Sequence, residues 1–552
     1  MVPKGQKLSG QLKFKDKSGH TLRALDFANI VQTESQGIRT ERNMIQPDLT
    51  TVCTTTAILL ACCYFFLQHR RNENHRKLPP CPVRPWPVVG NIFSIGEDIR
   101  AQFKAWHKQC GGVFSIYFGS TLVVVVSGFR TIKEVFVHKG SVTSNRPEMF
   151  MNEAIGMGET GIVFTSGVIW KELRSATLQI LKEFGMGTNL LAEKIQEEVT
   201  CYLEKLIKMR GEPVNLQHFT RVSVSNVISS IIVGKRFSHE DPRYKETVAS
   251  LMRVAESSRG ATAINFLPFL KYIPGDLFQA KKIQVNMTNV KDLLVEIVSE
   301  IEGTAVTGNQ RSNSANFISS YRRKQQEKLQ AGKRTSLDDD NMIKTIVDLY
   351  AAGTETVSST IVWCVLFILQ STDVQKSIHA ELDREVGQER QPTMEDQARL
   401  PYLGAVIKET QRLASTVPFS LMHKTSEEIT VGEFVIPRGT SLIPNLDSVL
   451  HDPEIWGSDA HKFNPKRFLD TDGSFIHREE FIPFSIGPRL CLGEALGKME
   501  LFLFLSSMFQ RFQFVPIDPL NLPTLKPNIG ITSVPAPYEV CCLDRLNDKK
   551  VS

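Results

Sequence analysis

The first 50 residues are polar, with scattered charge and no sustained hydrophobic period. The pattern then changes abruptly. Residues 51–67, TVCTTTAILLACCYFFL, run without a charge, at the short end of the roughly 17–25 residues that cross a bilayer. Gln68, His69, Arg70 and Arg71 follow, then Arg76 and Lys77. This basic flank predicts a cytosolic location for the chain after it. No A-x-A-type cleavage site follows the run, which favours an anchor over a signal peptide. Residues 1–50 are expected to be an N-terminal extension, disordered or preceding an alternative start at Met44.

Residues 68–91 form the flank and a proline-rich hinge, LPPCPVRPWPVVGN, stiffened by repeatedly fixed φ angles. Residues 112–117 and 121–127 (TLVVVVS) read as strands, and residues 168–412 are mainly helical. Long amphipathic stretches fall at 191–209, 290–301 and 342–370. Residues 303–340 are polar, and their basic run 322–334 predicts a solvated helix and loop. Near the C-terminus EITVGEFVIPRGTSL predicts a hairpin. The expected fold is mainly α with a minor β region.

Composition narrows the classes. With 552 residues, 41% hydrophobic and a net charge of only +6, the chain is not disordered. Its mean hydropathy of -0.14 excludes a multi-span membrane protein. The small net charge gives no sign of nucleic-acid binding. Length alone permits several domains. Ten cysteines without a C-x-x-C pair point away from structural zinc and towards a reducing compartment. Adjacent Cys541 and Cys542 are expected to act as small hydrophobes or to end a strand. Gly156, Gly158 and Gly161 spell G-x-G-x-x-G, but no strand-to-helix context surrounds them, so they predict a loop and not a dinucleotide site. The sequon at Asn286 is set aside as a chance triplet.

Chemistry concentrates in FSIGPRLCLGE, residues 484–494. One cysteine, Cys491, lies between Gly487 and Gly493. These glycines predict close approach of backbone to a flat ligand. An apolar helical run follows at 495–509, and its N-terminus favours a thiolate. Arg489 offers a guanidinium fork for a carboxylate, and Phe484 is placed to cover the sulfur.

With this F-x-x-G-x-R-x-C-x-G spacing the chain resembles the cytochrome P-450 superfamily. PPCPVRPWPVVGN, WKELRSATLQILKEFGMG and PYEVC make it most similar to the animal microsomal enzymes of family 2. Cys81 and Ser175 depart from that pattern, the usual residues being Gly and Arg. The resemblance implies a cytochrome P-450 fold, with one large domain at 92–552 after an N-terminal membrane anchor. It implies haem b (iron protoporphyrin IX) with Cys491 as the proximal ligand. Trp170, Arg174 and His423 are implied at the haem carboxylates, with Arg146 a weaker candidate.

In AAGTET, residues 351–356, Gly353 weakens a helix and Thr356 can bond back one turn. Together they are expected to open a gap for dioxygen, with Thr356 and Glu355 serving proton delivery. Glu409 and Arg412, at i and i+3, join Arg467 in an implied buried charge network. Substrate-lining segments are implied at 150–162, 265–278, 351–352, 417–421 and 529–533. The segment LPFLKYIP is expected to dip into lipid.

The resemblance implies a monooxygenase of lipophilic substrates such as a fatty acid, steroid or xenobiotic. Its implied partners are NADPH-cytochrome P-450 reductase and cytochrome b5, at the endoplasmic reticulum membrane. Lys171, Lys182 and Lys498 are candidates for the docking surface. A haem-thiolate isomerase or dehydratase, or a non-catalytic haem-binding sensor, are the alternatives.

Overall fold

The computed structural model describes residues 14–15, 21–22, 53–63, 77–154, 156–186, 189–306 and 316–546. The chain divides into two compact units, Met1–His75 and Arg76–Ser552. In the first, Phe14–Lys15 and Thr21–Leu22 pair antiparallel. Cys53–Cys63 form a short apolar helix with exposed side chains. That helix lies within the expected anchor at 51–67. The rest of the anchor and its flank through Arg76 lie outside the described residues.

In the second unit the site is framed by strands β1 (Val113–Phe118) and β2 (Thr121–Ser127), then helices α1 (Gly167–Glu183), α2 (Asn189–Lys208) and α3 (Leu216–Ile232). Helices α4 (Asp339–Leu369) and α5 (Pro401–Ala414) follow, then strands β3 (His423–Lys424) and β4 (Ser441–Asn445), and helix α6 (Glu494–Arg511). One mainly helical unit thus spans a length that permitted several domains.

Helix α4 is the axis of the core. Asp338 caps it by accepting from the Asn341 N–H. Among the described residues it is the one helix long and apolar enough to cross a membrane, yet 83% of its apolar stretch is buried in protein. Its side chains pack with those of α2, α3 and α6 in one hydrophobic cluster. Each Val, Leu, Ile or Phe buried there contributes about 1.5–3 kcal/mol.

The α3–α4 crossing is tight. A Cβ on Gly353 would fall 2.6 Å from Ile228 Cδ1, and the Tyr350 hydroxyl donates to Ser229 Oγ at 3.1 Å. Gly353 therefore serves helix packing. The expected gap is not opened by a break there, because α4 stays helical through Gly353 and Thr356.

The sheet of β1, β2, β4 and β3 lies beside this helical mass. β1 and β2 are antiparallel, β2 and β4 parallel, and β3 antiparallel to β4. Val124 and Val126 join one core cluster while Val123 and Val125 join another. Burial on both faces explains an unbroken valine run where a one-sided strand would alternate. The predicted hairpin is Ile429–Val431 paired with Phe434–Ile436.

The proline-rich segment is part of the domain rather than a free spacer. Ser115 donates from Oγ to the Pro79 carbonyl and from N–H to the Pro80 carbonyl. Asn91 bridges the Val83 carbonyl and the Tyr117 N–H. Cys81 Sγ lies 3.0 Å from the Val83 carbonyl oxygen. Near the C-terminus Val540–Asp544 pairs with Phe512–Pro516, with Cys542 buried and Cys541 half-buried.

The basic run on helix Phe317–Gln330 is less solvated than expected. Arg322 pairs with Glu302 and Asp339, Lys324 with Glu183, and Lys328 with Glu172. The two lysines tie the helix to α1, and Arg322 ties it to helix Ala280–Val306 and to the start of α4.

Candidate active site

The loop that carries Cys491 is shaped from within and from outside. The Cys491 N–H donates to the Phe484 carbonyl at 3.0 Å. Ser485 takes φ +65° without being glycine, a conformation that costs about 1–3 kcal/mol. Gly487 takes φ +80°, and a Cβ there would sit 1.9 Å from the Phe136 carbonyl oxygen. The close approach expected of a flat ligand at Gly487 is thus supplied by protein, from the π-helical turn Glu134–His138. At Gly493 a Cβ would meet no protein atom within 4 Å, so that side of the loop is clear.

Cys491 is accessible, but the protein around its sulfur pushes the thiol up, against a backbone hydrogen bond from Gly493 and the charge of Arg174. Without a metal the surroundings of the sulfur thus favour the thiol. A metal cation bound to sulfur would secure the thiolate.

Beside Cys491 the structure gathers cations from three directions. Arg174, on α1, donates to the Leu490 carbonyl at 2.6 Å. The Arg489 guanidinium lies 3.8 Å from the Trp170 ring centroid, and that of Arg174 lies 5.9 Å away. Arg489 donates to the carbonyls of Ser144, Ile162, Val163 and Thr165. Arg146 donates to those of Val163, Leu421 and Met422. No carboxylate among the described residues pairs with any of the three.

Burial and the neighbouring guanidiniums push Arg489 down to about 8, and burial and Arg174 push Arg146 down to about 9. Guanidiniums keep their protons at neutral pH, so these depressions express positive charge that carbonyls alone compensate poorly.

His423, on β3, completes the cluster. Its Nδ1 lies 2.8 Å from the Thr143 carbonyl oxygen, which assigns the proton to Nδ1, while the buried Nε2 has no partner. Burial first, then the charges of Arg146 and Arg489, hold the ring well below its usual range. Partly compensated buried cations and an orphaned imidazole nitrogen are a fit for a ligand with carboxylates. The accessible Cys491 sulfur beside them fits its iron.

On α4, Thr356 Oγ1 donates to the Ala352 carbonyl at 2.7 Å, the back-bond expected from sequence. Glu355 is buried, its Oε1 3.3 Å from Arg221 on α3 and its Oε2 without a partner. It is not a solvated surface acid. Sequence reasoning missed Arg221, which no motif marks. The next residue, Val357, lies 3.8 Å from a Cβ built at Gly497 of α6. Val357 and Leu496 share one buried cluster, which packs α4 just after AAGTET against the helix that follows Cys491.

Glu409 and Arg412 form a two-pronged pair at 2.7 and 2.9 Å with both side chains fully buried. Arg467 reaches Glu409 at 3.0 Å, and Asn464 donates its N–H to the same carboxylate. The structure adds Asp459, which pairs with Arg467.

Of the five expected substrate-lining segments, 150–162 and 265–278 are joined by a hydrogen bond, and 529–533 is tied to Thr416, which precedes 417–421. Phe150 N–H donates to Asn265 Oδ1, Thr360 meets Thr416, and Ser533 N–H donates to the Thr416 carbonyl. Ala351 and Ala352 are exposed.

The family model for cytochrome P450 matches residues 79–542. Cytochrome P450 2K4 of Oncorhynchus mykiss is 36% identical over 489 residues, covering 86% of this chain and 93% of the relative. Cytochrome P450 2D4 of Rattus norvegicus is 35% identical over 486 residues, covering 86% and 95%. Cytochrome P450 2J5 of Mus musculus is 36% identical over 481 residues, covering 86% and 93%. The chain belongs to the cytochrome P450 family, among relatives of its family 2, and is accordingly a monooxygenase with haem b as its cofactor.

Proposed function

We propose that the protein inserts one oxygen atom from dioxygen into a lipophilic organic substrate, of the fatty acid, steroid or xenobiotic kind. The other atom leaves as water, with electrons from NADPH through NADPH-cytochrome P-450 reductase and with cytochrome b5 as a further donor. The observation that carries this reading is the convergence of Arg146, Arg174, Arg489 and His423, without a carboxylate partner among the described residues, beside the accessible Cys491.

When bound, haem supplies the iron at which dioxygen is activated, and a thiolate ligand favours cleavage of the O–O bond. Cys491 would hold the iron. The three guanidiniums would hold the carboxylates, whose negative charge would draw a second proton onto the His423 ring so that Nε2 donates to them. Phe484 covers the sulfur. Thr356 Oγ1, which donates to the Ala352 carbonyl, would turn its hydroxyl to the oxygen site or its water. Glu355 Oε2, free of partners, takes up and returns the proton, while Arg221 holds Oε1. Glu409, Arg412 and Arg467 keep the segments behind the Cys491 loop in place.

Lipophilic access suits an exposed apolar face. Phe269, Tyr272 and Leu277 are exposed in the segment at 265–278, as are Trp86 and Val88. Phe266 stacks on Phe118 at 4.5 Å, and Leu267 and Val88 both flank Gly119. This face dips into the endoplasmic reticulum membrane, with residues 51–67 as the anchor and the catalytic domain in the cytosol. Lys171, Lys182 and Lys498 are exposed and serve the docking of the reductase.

The test uses the haem-loaded full chain with reductase, NADPH and labelled dioxygen against a lipophilic panel. One labelled atom per product molecule is expected. Turnover of a peroxide substrate without NADPH would sink this reading in favour of an isomerase. Oxygen consumption that no substrate stimulates would sink it in favour of a sensor.

A further inference from the structure

The loop with Gly156, Gly158 and Gly161 closes onto a buried charge pair in α4. Gly161 N–H donates to Asn341 Oδ1, and the N–H groups of Ile162 and Val163 both donate to Asp348 Oδ2, each at 3.0 Å. Asp348 Oδ1 pairs with Lys344 Nζ one turn earlier. Lys344 and Asp348 are only 2% and 6% exposed. The Lys344 ammonium also lies 5.6 Å from the Phe164 ring centroid. A Cβ on Gly161 would fall 2.4 Å from Lys344 Cγ and 2.6 Å from Asp348 Oδ2. Its glycine is required by this contact, not by a nucleotide.

The same segment faces the cation cluster with its carbonyls. Val163 O accepts from Arg146 Nε at 3.2 Å. Ile162 O and Val163 O accept from Arg489, and so does Thr165 O. The N–H side of the loop is thus fixed by α4 and its C=O side orients two guanidiniums. In the Ile162–Val163 peptide the N–H meets the Asp348 carboxylate, which makes its carbonyl a better acceptor for Arg489.

We propose that Lys344 and Asp348 form a positioning latch, which through residues 161–165 holds Arg146 and Arg489 in the orientation that receives the haem carboxylates. It rests on the carboxylate-binding reading of that cluster. Lys344 anchors the Asp348 carboxylate, Asp348 anchors two backbone N–H groups, and the loop carries that order to the cations. Neither residue touches haem, so their effect is indirect.

The test compares Lys344→Met and Asp348→Asn, both of nearly unchanged volume, in the haem-loaded full chain. Hydrogen exchange at the Ile162 and Val163 amides reads the latch. Haem transfer to excess apomyoglobin, and the propionate bending bands in resonance Raman spectra, read its coupling to the cluster. Both variants are expected to lose amide protection, to shift those bands, and to release haem roughly tenfold faster, the lower end of what outer-shell partners of a bound group carry.

Arg174→Gln, in the cluster but outside the latch, is the control. If it accelerates transfer while the two latch variants do not, the latch is overturned, whether or not the amides lose protection. If Arg174→Gln is silent as well, the carboxylate-binding reading has failed and the latch falls with it.

Discussion

The Arg489 guanidinium lies 3.8 Å from the centroid of the Trp170 ring, joining the Cys491 loop to α1 across more than three hundred residues of sequence. Both residues are buried. The ring face offsets part of the charge that the surrounding carbonyls leave uncompensated, with a contribution of about 2 kcal/mol for a desolvated pair.

Trp170→Leu is therefore expected to lower haem loading and thermal stability together, by about 2 kcal/mol in stability. Trp170→Phe keeps a ring face and should recover part of both. Haem-to-protein absorbance ratios and thermal melts of the two variants provide the comparison. Equal loss in both would mean that the ring acts by volume alone.

Glu409 holds two buried arginines, so Glu409→Ala strands Arg412, whereas Arg467 keeps Asp459. The expected cost is about 3–5 kcal/mol, and the variant should fail to incorporate haem rather than merely turn over slowly. The spectrum of the reduced, carbon-monoxide-bound form measures loading directly. Normal loading would remove the Glu409–Arg412–Arg467 network from the account.

Gly487→Ala places a Cβ against the Phe136 carbonyl at a residue with φ +80°. Strain and clash together should exceed about 4 kcal/mol, so little folded protein is expected. Gly493→Ala meets no protein atom. Its haem-free form should melt within about 1 kcal/mol of the native chain.

Cys491→Ser should fold yet lose the red-shifted thiolate band of the carbon-monoxide complex. Thr356→Ala should keep that band and divert electrons to peroxide or water, while Thr356→Ser, which keeps the hydroxyl, should restore coupling. Product formed per NADPH consumed is the quantity to measure. Undiminished coupling in Thr356→Ala would exclude the hydroxyl from proton delivery.

His423 gives a pH dependence with a definite sign. Burial, then Arg146 and Arg489, keep its ring neutral in the folded chain, against the pull of the Thr143 carbonyl. An unfolded histidine takes up its proton near pH 6.5. Below about pH 6.5 the unfolded state thus binds more protons, and the stability of the haem-free protein falls as pH drops, with nothing lost above. His423→Gln should flatten this dependence between about pH 5 and 6.5 in urea titrations. An unchanged slope would mean that the ring already carries charge in the folded state.

Some of this was legible in the residues alone. The valine run at 121–127, the apolar 342–370 stretch and the hairpin at 428–442 declare their elements because burial on one or both faces sets a periodicity. The FSIGPRLCLGE spacing declares its chemistry because a cysteine between glycines ahead of a helix is a local arrangement. The pairing of Glu409 with Arg412 is local too, one helical turn apart.

Other features are long-range, and no spacing encodes them. Arg221 meets Glu355, Asp459 meets Arg467, and Asp348 takes two N–H groups from a loop nearly two hundred residues earlier. Gly487 and Gly353 look alike in sequence to glycines that face a ligand or break a helix. Only the carbonyl of Phe136 and the side chain of Ile228 show that protein fills those spaces. The sequence by itself determined the elements, the family and the candidate cysteine, because those depend on neighbours along the chain. Tertiary structure alone decided which charges are paired and which are left for a ligand, because compensation of a buried charge depends on what packing brings within hydrogen-bonding distance.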